Sequence, residues 1–163
     1  MNNLSPIDFD ATDLRILEQL QTDASQSNQA LAEKVHISPP TCLRRVKRLV
    51  DAGVVERQIC LLSPEKLRSV TGSGLTSVVE VTLVAQTEEL LAAFEERIAP
   101  EPAVGQCYRV SPGPDFVLVV NTADMQGYHA LAKRVFTADA QVRNVKTFFS
   151  ISRSKFEPRL PIF

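Results

Sequence analysis

The stretch SPPTCLRRVKRLVDAG, residues 38–53, decides the reading of the chain. Ser38 followed by Pro39 is a strong helix start. A serine hydroxyl can accept a backbone N–H left over at a helix N-terminus, and proline at the first helical position lacks a donor that would go unpaired there. Gly53 ends the helix after Ala52, since glycine takes the left-handed conformation that closes a helix without steric cost. Between these ends Leu43, Val46, Leu49 and Val50 recur at spacings of three and four, which predicts a core-facing stripe. Thr41, Arg44, Arg45, Lys47 and Arg48 are then left outside.

No acidic residue lies between Lys34 and Asp51, so nothing acidic within that interval neutralises these cations. Such a face suits DNA: contacts to phosphate supply affinity, and bidentate arginine contacts to guanine edges in the major groove supply specificity. The plainer alternative is the solvated basic face of a three-helix bundle, and the helix by itself does not separate the two.

What precedes it does. Asp10 can cap a first helix whose Leu14, Leu17 and Leu20, with Ile16 alongside, form an apolar face. Ser27 can cap a short second helix, Asn28 to Val35, placing Leu31 and Val35 one turn apart. Only His36, Ile37 and Ser38 separate that helix from the basic one. This is a helix-turn-helix, in which the N-terminal end of the second helix approaches the bases. Pro40, Thr41, Arg44 and Arg45 are therefore expected at base edges, with Ser38 at the helix start beside them. Lys47, Arg48 and Arg57 are expected to hold phosphates.

The rest of the chain fits a binding protein. Of its 163 residues 44% are hydrophobic and 23% charged, a composition that permits a packed core. The net charge of −1 supplies no global pull toward phosphate, so affinity for nucleic acid must come from local clustering. No apolar run reaches the length of a membrane helix and MNNLSPIDFD lacks the blocks of a signal peptide, so a cytoplasmic protein is expected. Cys42, Cys60 and Cys107 form no close pair, which argues against a disulfide framework or a zinc site, and His36 and His129 have no partner at ligand spacing. No cofactor is expected. Ser111 has no nucleophile-elbow context, and nothing demands an enzyme.

Val54 to Leu62 alternates enough to predict a strand, completing a winged domain over residues 1–62, and SPEKLRSVTGSG reads as a connection spanning 63–74. Residues 75–163 then read strand, helix, strand, strand, helix, strand: Leu75–Val84, Glu88–Ile98, Val104–Val110, Phe116–Asn121, Met125–Phe136 and Val142–Ile151. That order is the ferredoxin-like split βαβ, giving an α+β protein with a C-terminal βαββαβ domain.

The stretch DATDLRILEQLQTDASQSNQALAEKVHISPPTCLRRVKRLVDAGVVER resembles the DNA-binding domain of the leucine-responsive/asparagine-synthase regulators, the Lrp/AsnC or feast/famine family. The most specific part is ISPPTCLRRVKRLVDAGVV. The second half is similar in element order to the family's effector and oligomerisation domain, with VSPGPDFVLVV at its second-to-third strand turn. The resemblance implies a sequence-specific transcription regulator of double-stranded DNA, responsive to an amino acid or related small molecule. It also implies a homodimer built through the C-terminal sheets that assembles into an octamer or similar ring. In the family this turn reads Val-Ser-Gly, two variable residues, then Asp and an aromatic, so the resemblance assigns effector contacts to Ser111, Gly113, Asp115 and Phe116. Here the family's glycine falls on Pro112, which offers no N–H and no positive φ. Two readings stay open: a pocket with Asp115 as ammonium partner, or a remodelled loop in which Asp115 caps backbone groups. Alternative functions are an architectural DNA-packaging protein, separable by the salt dependence of specific and nonspecific binding, and an enzyme carrying a DNA-binding domain.

Overall fold

The computed structural model describes residues 8–71 and 74–162. Residues 1–7 of the expected first domain and 72 and 73 of the expected connection lie outside the described residues. The chain divides into two compact units, one running to Leu61 and taking in the residues from Lys155 onward, the other spanning Leu62–Ser154.

The first unit is a three-helix core of α1 (Ala11–Thr22), α2 (Asn28–Lys34) and α3 (Pro39–Asp51). Asp10 caps α1 as expected, accepting from the N–H groups of Thr12 and Asp13, while the Asp13 carboxylate accepts in return from the Asp10 N–H. This reciprocal box satisfies donors that a helix N-terminus leaves over. Ser27 caps α2 through the Ala30 N–H. Ile16, Leu31, Ala32, Val35, Cys42 and Leu49 are buried together, with Leu17, Leu20, Ile37, Val46 and Val55 packed against them. The inner face of α1 is thus centred on Asp13 and Ile16 rather than on Leu14, which is only half-buried.

Two further expectations for this unit are corrected. Ser38 is the N-cap of α3 but makes no capping bond to a backbone N–H, and its hydroxyl instead donates to Thr41 Oγ1 at 2.8 Å. With Pro40 at the second helical position, one of the two N–H groups a cap serves does not exist. Residues 54–62 form no strand. Alternation places side chains on two faces, but a strand also needs a partner for its backbone, and none pairs with this segment among the described residues. The α3 C-terminus closes as read: Gly53, at φ 71°, donates to Val50 O, and Val54 N–H reaches Leu49 O. These are the paired bonds of a Schellman motif.

In the second unit the segment read as a connection contains a helix, α4 (Pro64–Thr71). There follow β1 (Leu75–Leu83), α5 (Glu88–Ile98), β2 (Val104–Arg109), β3 (Phe116–Thr122), α6 (Met125–Ala132), one π-helical turn over Lys133–Thr137, and β4 (Val142–Phe149). The sheet order β2-β3-β1-β4 with every neighbour antiparallel is the ferredoxin-like arrangement. Val79, Val81, Phe116, Leu118 and Val120 point from one sheet face into a core shared with Phe94 and Ile98 of α5 and with Tyr128, Leu131, Val135 and Phe136. The opposite face carries Val78, Tyr108 and Phe148, all exposed, beside half-buried Val117 and Val119.

Candidate nucleic-acid interface

Helix α3 is held by its neighbours at both ends of the turn. The Asn28 amide donates to Pro39 O at 2.9 Å, tying the start of α2 to the start of α3. Within the turn the Ile37 N–H bonds Ala32 O, and His36 takes φ 58°. The orientation of α3 is therefore set by backbone and amide bonds as well as by burial of Cys42 and Leu49.

The structure divides the expected contact residues into two groups. Arg45 donates to Asp10 Oδ2 at 2.6 Å and to Asp13 Oδ1 at 2.9 Å, and Arg48 donates to Asp13 Oδ2. Asp13 is 1% exposed, Arg45 26% and Arg48 48%, so the buried carboxylate is the hub of a clamp between α1 and α3. Backbone bonding within the cap, then the Arg45 guanidinium, lower the Asp10 carboxyl to a pKa of about 2. The same contacts, with Asp10 first, push the Arg45 guanidinium upward. The two arginines are thus neutralised, by carboxylates from another helix that a scan of α3 alone does not find.

Arg44, Lys47 and Arg57 are exposed and make no ion pair among the described residues. Pro40 is exposed beside them and Thr41 is half-buried. Two residues expected in the core are not there: Leu43 is 60% exposed and Val50 46%. The inner stripe of α3 runs instead through Cys42, Arg45, Val46 and Leu49. Spacings of three and four set Cys42, Arg45 and Leu49 on one face, and Leu43 and Val50 each sit one residue, about 100°, away from it. Burial raises the Cys42 thiol above its ordinary value, in keeping with a packing role.

In the second unit the β2–β3 loop accommodates Pro112 by moving the glycine's conformation one residue on. Positive φ falls on Gly113, at 127°, and the Ser111–Pro112 peptide is cis. Asp115, 4% exposed, accepts from the Leu83 N–H at 2.7 Å where the β1–β4 register shifts, and its own N–H bonds Val81 O. Phe116 is fully buried and stacks on Phe94 with ring centroids 4.6 Å apart. Ser111 and Gly113 are on the surface, whereas Asp115 and Phe116 are built into the domain. A hollow of about 350 Å³ beside β4, lined by Phe136, Thr137, Asp139, Val142, Arg143 and Asn144 among others, includes none of these four.

Residues 9–56 match a family model described as winged helix-turn-helix DNA-binding, and residues 76–160 match the Lrp/AsnC ligand binding domain. The chain belongs to the Lrp/AsnC family. Curated relatives include the leucine-responsive regulatory protein of Rhizobium meliloti, 35% identical over 91% of this chain and 93% of that one. The DNA-binding transcriptional activator DecR of Escherichia coli is 32% identical over 94% and 99%. An AsnC family regulator from Agrobacterium tumefaciens superimposes with a TM-score of 0.81 at 31% identity, covering 94% of this chain and 97% of that one. A transcriptional regulator from Neisseria meningitidis solved as an L-Met complex superimposes with a TM-score of 0.80 at 28% identity, with the same coverage. As a member of the Lrp/AsnC family the chain is a DNA-binding transcription regulator, and its two matched segments fall on the helix-turn-helix and on the four-stranded sheet.

Proposed function

We propose that this regulator reads its operator through Pro40, Thr41 and Arg44, holds phosphate through Lys47 and Arg57, and keeps Arg45 and Arg48 mainly as positioning residues that fix α3 against α1. The observation that carries the assignment is the split of the α3 cations: Arg44 and Lys47 are exposed without ion pairs among the described residues, while Arg45 and Arg48 are engaged by Asp13. Ser38, whose hydroxyl is already bonded to Thr41, helps shape the helix start.

The protein acts as a homodimer on DNA in the cytoplasm and binds rather than catalyses. One short reading helix contacts few base pairs, and a two-fold pair spaced by a turn of DNA doubles the contacts. The open sheet face with Val78, Val117, Val119, Tyr108 and Phe148 supports pairing through the second unit, since an apolar patch of this kind marks an interaction surface. Further assembly into an octamer or similar ring follows the family pattern. The effector is an amino acid, by analogy with the leucine-responsive relative and the regulator solved as an L-Met complex. Ser111 and Gly113 supply the accessible part of that site, and Asp115 and Phe116 shape the loop.

A competition gel shift on selected operator and on random DNA tests the DNA assignment. Arg44→Ala is expected to cost about 1–3 kcal/mol on operator and little on random sequence, whereas Lys47→Ala weakens both alike. Equal loss on both DNAs for both variants contradicts the division of roles. If the unaltered protein binds operator and random DNA equally across salt concentrations, the packaging reading replaces the regulator.

A further inference from the structure

A single exposed leucine is ordinary on a protein surface. Leu43 has an unusual setting: it stands in the N-terminal half of the helix that meets the bases, one turn after exposed Pro40 and beside exposed Arg44 and Lys47. Its side chain is 60% exposed, and it points away from the face on which Cys42 and Leu49 are buried. Around it the polar reading capacity is reduced, because Arg45 is committed to Asp10 and Asp13 and the Ser38 hydroxyl to Thr41. The readers left near the helix start are an arginine, a threonine, a proline and this leucine.

Major-groove edges offer one apolar feature, the C5-methyl group of thymine. We infer that Leu43 is a specificity-determining residue that packs on a thymine methyl in the operator, next to the base read by Arg44. The inference rests on the DNA-binding assignment and adds to it an A·T preference written by an apolar contact. Water is displaced from both the leucine and the methyl on binding, while a base without the methyl leaves the leucine facing a gap. The cations alongside, Arg44 and Lys47, hold the helix at the groove so that this small contact is made in register.

Replacement of single thymines by deoxyuridine, which removes only the methyl, tests this on an operator recovered by selection with the full-length protein. Affinities are measured by fluorescence anisotropy for the unaltered chain, Leu43→Ala and Leu43→Met. The expected result is one thymine per half-site at which deoxyuridine weakens the unaltered chain about fourfold, the size of one buried methyl group. Leu43→Ala should be weaker on the thymine operator and insensitive to deoxyuridine at that position, and Leu43→Met should restore the sensitivity. Circular dichroism and sedimentation check that fold and assembly are unchanged, as an exposed position allows. The inference is overturned if no thymine is methyl-sensitive, if sensitivity is the same in Leu43→Ala, or if Leu43→Ala alters only the assembly state. Failure of the unaltered chain to select any sequence would instead sink the regulator assignment, so the two failures are distinct.

Discussion

Replacing Asp13 by asparagine keeps the shape of the side chain and removes its charge. In the native protein Oδ1 accepts from Arg45 at 2.9 Å, and Oδ2 accepts from Arg48 and, at 3.2 Å, from the Asp10 N–H. Asparagine has one acceptor oxygen for these three donors, and its amide nitrogen faces a guanidinium. A hydrogen bond to a charged group contributes about 1.5–3 kcal/mol when lost. Both arginines retain contact with water, at 26% and 48% exposure, which favours the lower part of that range. The expected loss is about 2 kcal/mol of local stability, or roughly 30-fold less protection of α1 and α3 amides.

Hydrogen exchange resolved by peptide on the full-length protein is the suitable assay. The chain has no tryptophan, and its two tyrosines, Tyr108 and Tyr128, both lie in the second unit and report nothing local about the first. Protection in α1 and α3 should fall together while the sheet is unaffected, and Asp51→Asn, at the exposed end of α3, should change neither helix by more than about threefold. A fall of less than about threefold in Asp13→Asn refutes the clamp as a source of stability. DNA gives a second readout. The Asp13→Asn variant leaves Arg48, and in part Arg45, un-neutralised, so the dependence of log affinity on log salt should steepen by about one per cation that then meets a phosphate. An unchanged slope refutes the expectation that the released arginines meet phosphate.

Three other outcomes are expected. Asp115→Asn retains an oxygen for the Leu83 N–H and should leave thermal stability and the calorimetric affinity for an amino-acid effector within about threefold of native, whereas abolished binding with an intact fold assigns the carboxylate to the ligand ammonium. Gly53→Ala meets no atom within 4 Å, so its cost is conformational, about 1–2 kcal/mol for a left-handed alanine, read as faster exchange at the end of α3. Because the Asp10 carboxyl is lowered from 3.8 to about 2, its contribution to stability is full above pH 4 and is lost as pH falls through 2. Protection of the first turn of α1 should follow that window, and its loss near pH 5 contradicts the assigned contacts.

The legibility of these features in the sequence depends on whether the information is local. The caps at Asp10 and Ser27 and the stop at Gly53 act within five residues, and α5 keeps the bounds read for it, Glu88–Ile98. The inner face of α3 is harder to read because hydrophobicity and spacing disagree there. Leu43 and Val50 are the more apolar residues, yet Cys42 and Leu49 define a stripe that passes through Arg45. An arginine on such a stripe needs an acid opposite, and Asp13, on the same face of α1 as Ile16 and Leu20, is the available signal. Phe116 is likewise legible as a core residue, since it begins the period-two series Phe116, Leu118, Val120. The bond from Leu83 to Asp115 and the missing strand at 54–62 depend on what lies across the fold, and no local pattern contains that.

The clamp also sets how much free positive charge α3 offers to DNA in a chain of net charge −1. Counting the basic residues of α3 suggests four cations, but two are neutralised by Asp10 and Asp13, leaving Arg44 and Lys47, with Arg57 beyond the helix. The two cations assigned to phosphate, Lys47 and Arg57, release roughly two counterions, a salt slope of about −1.8 for one unit. The pair proposed above doubles the slope to about −3.6 without a new contact type. Internal neutralisation of Arg45 and Arg48 thus does two things at once: it ties α3 to α1 and lowers the free positive charge that α3 offers to any phosphate.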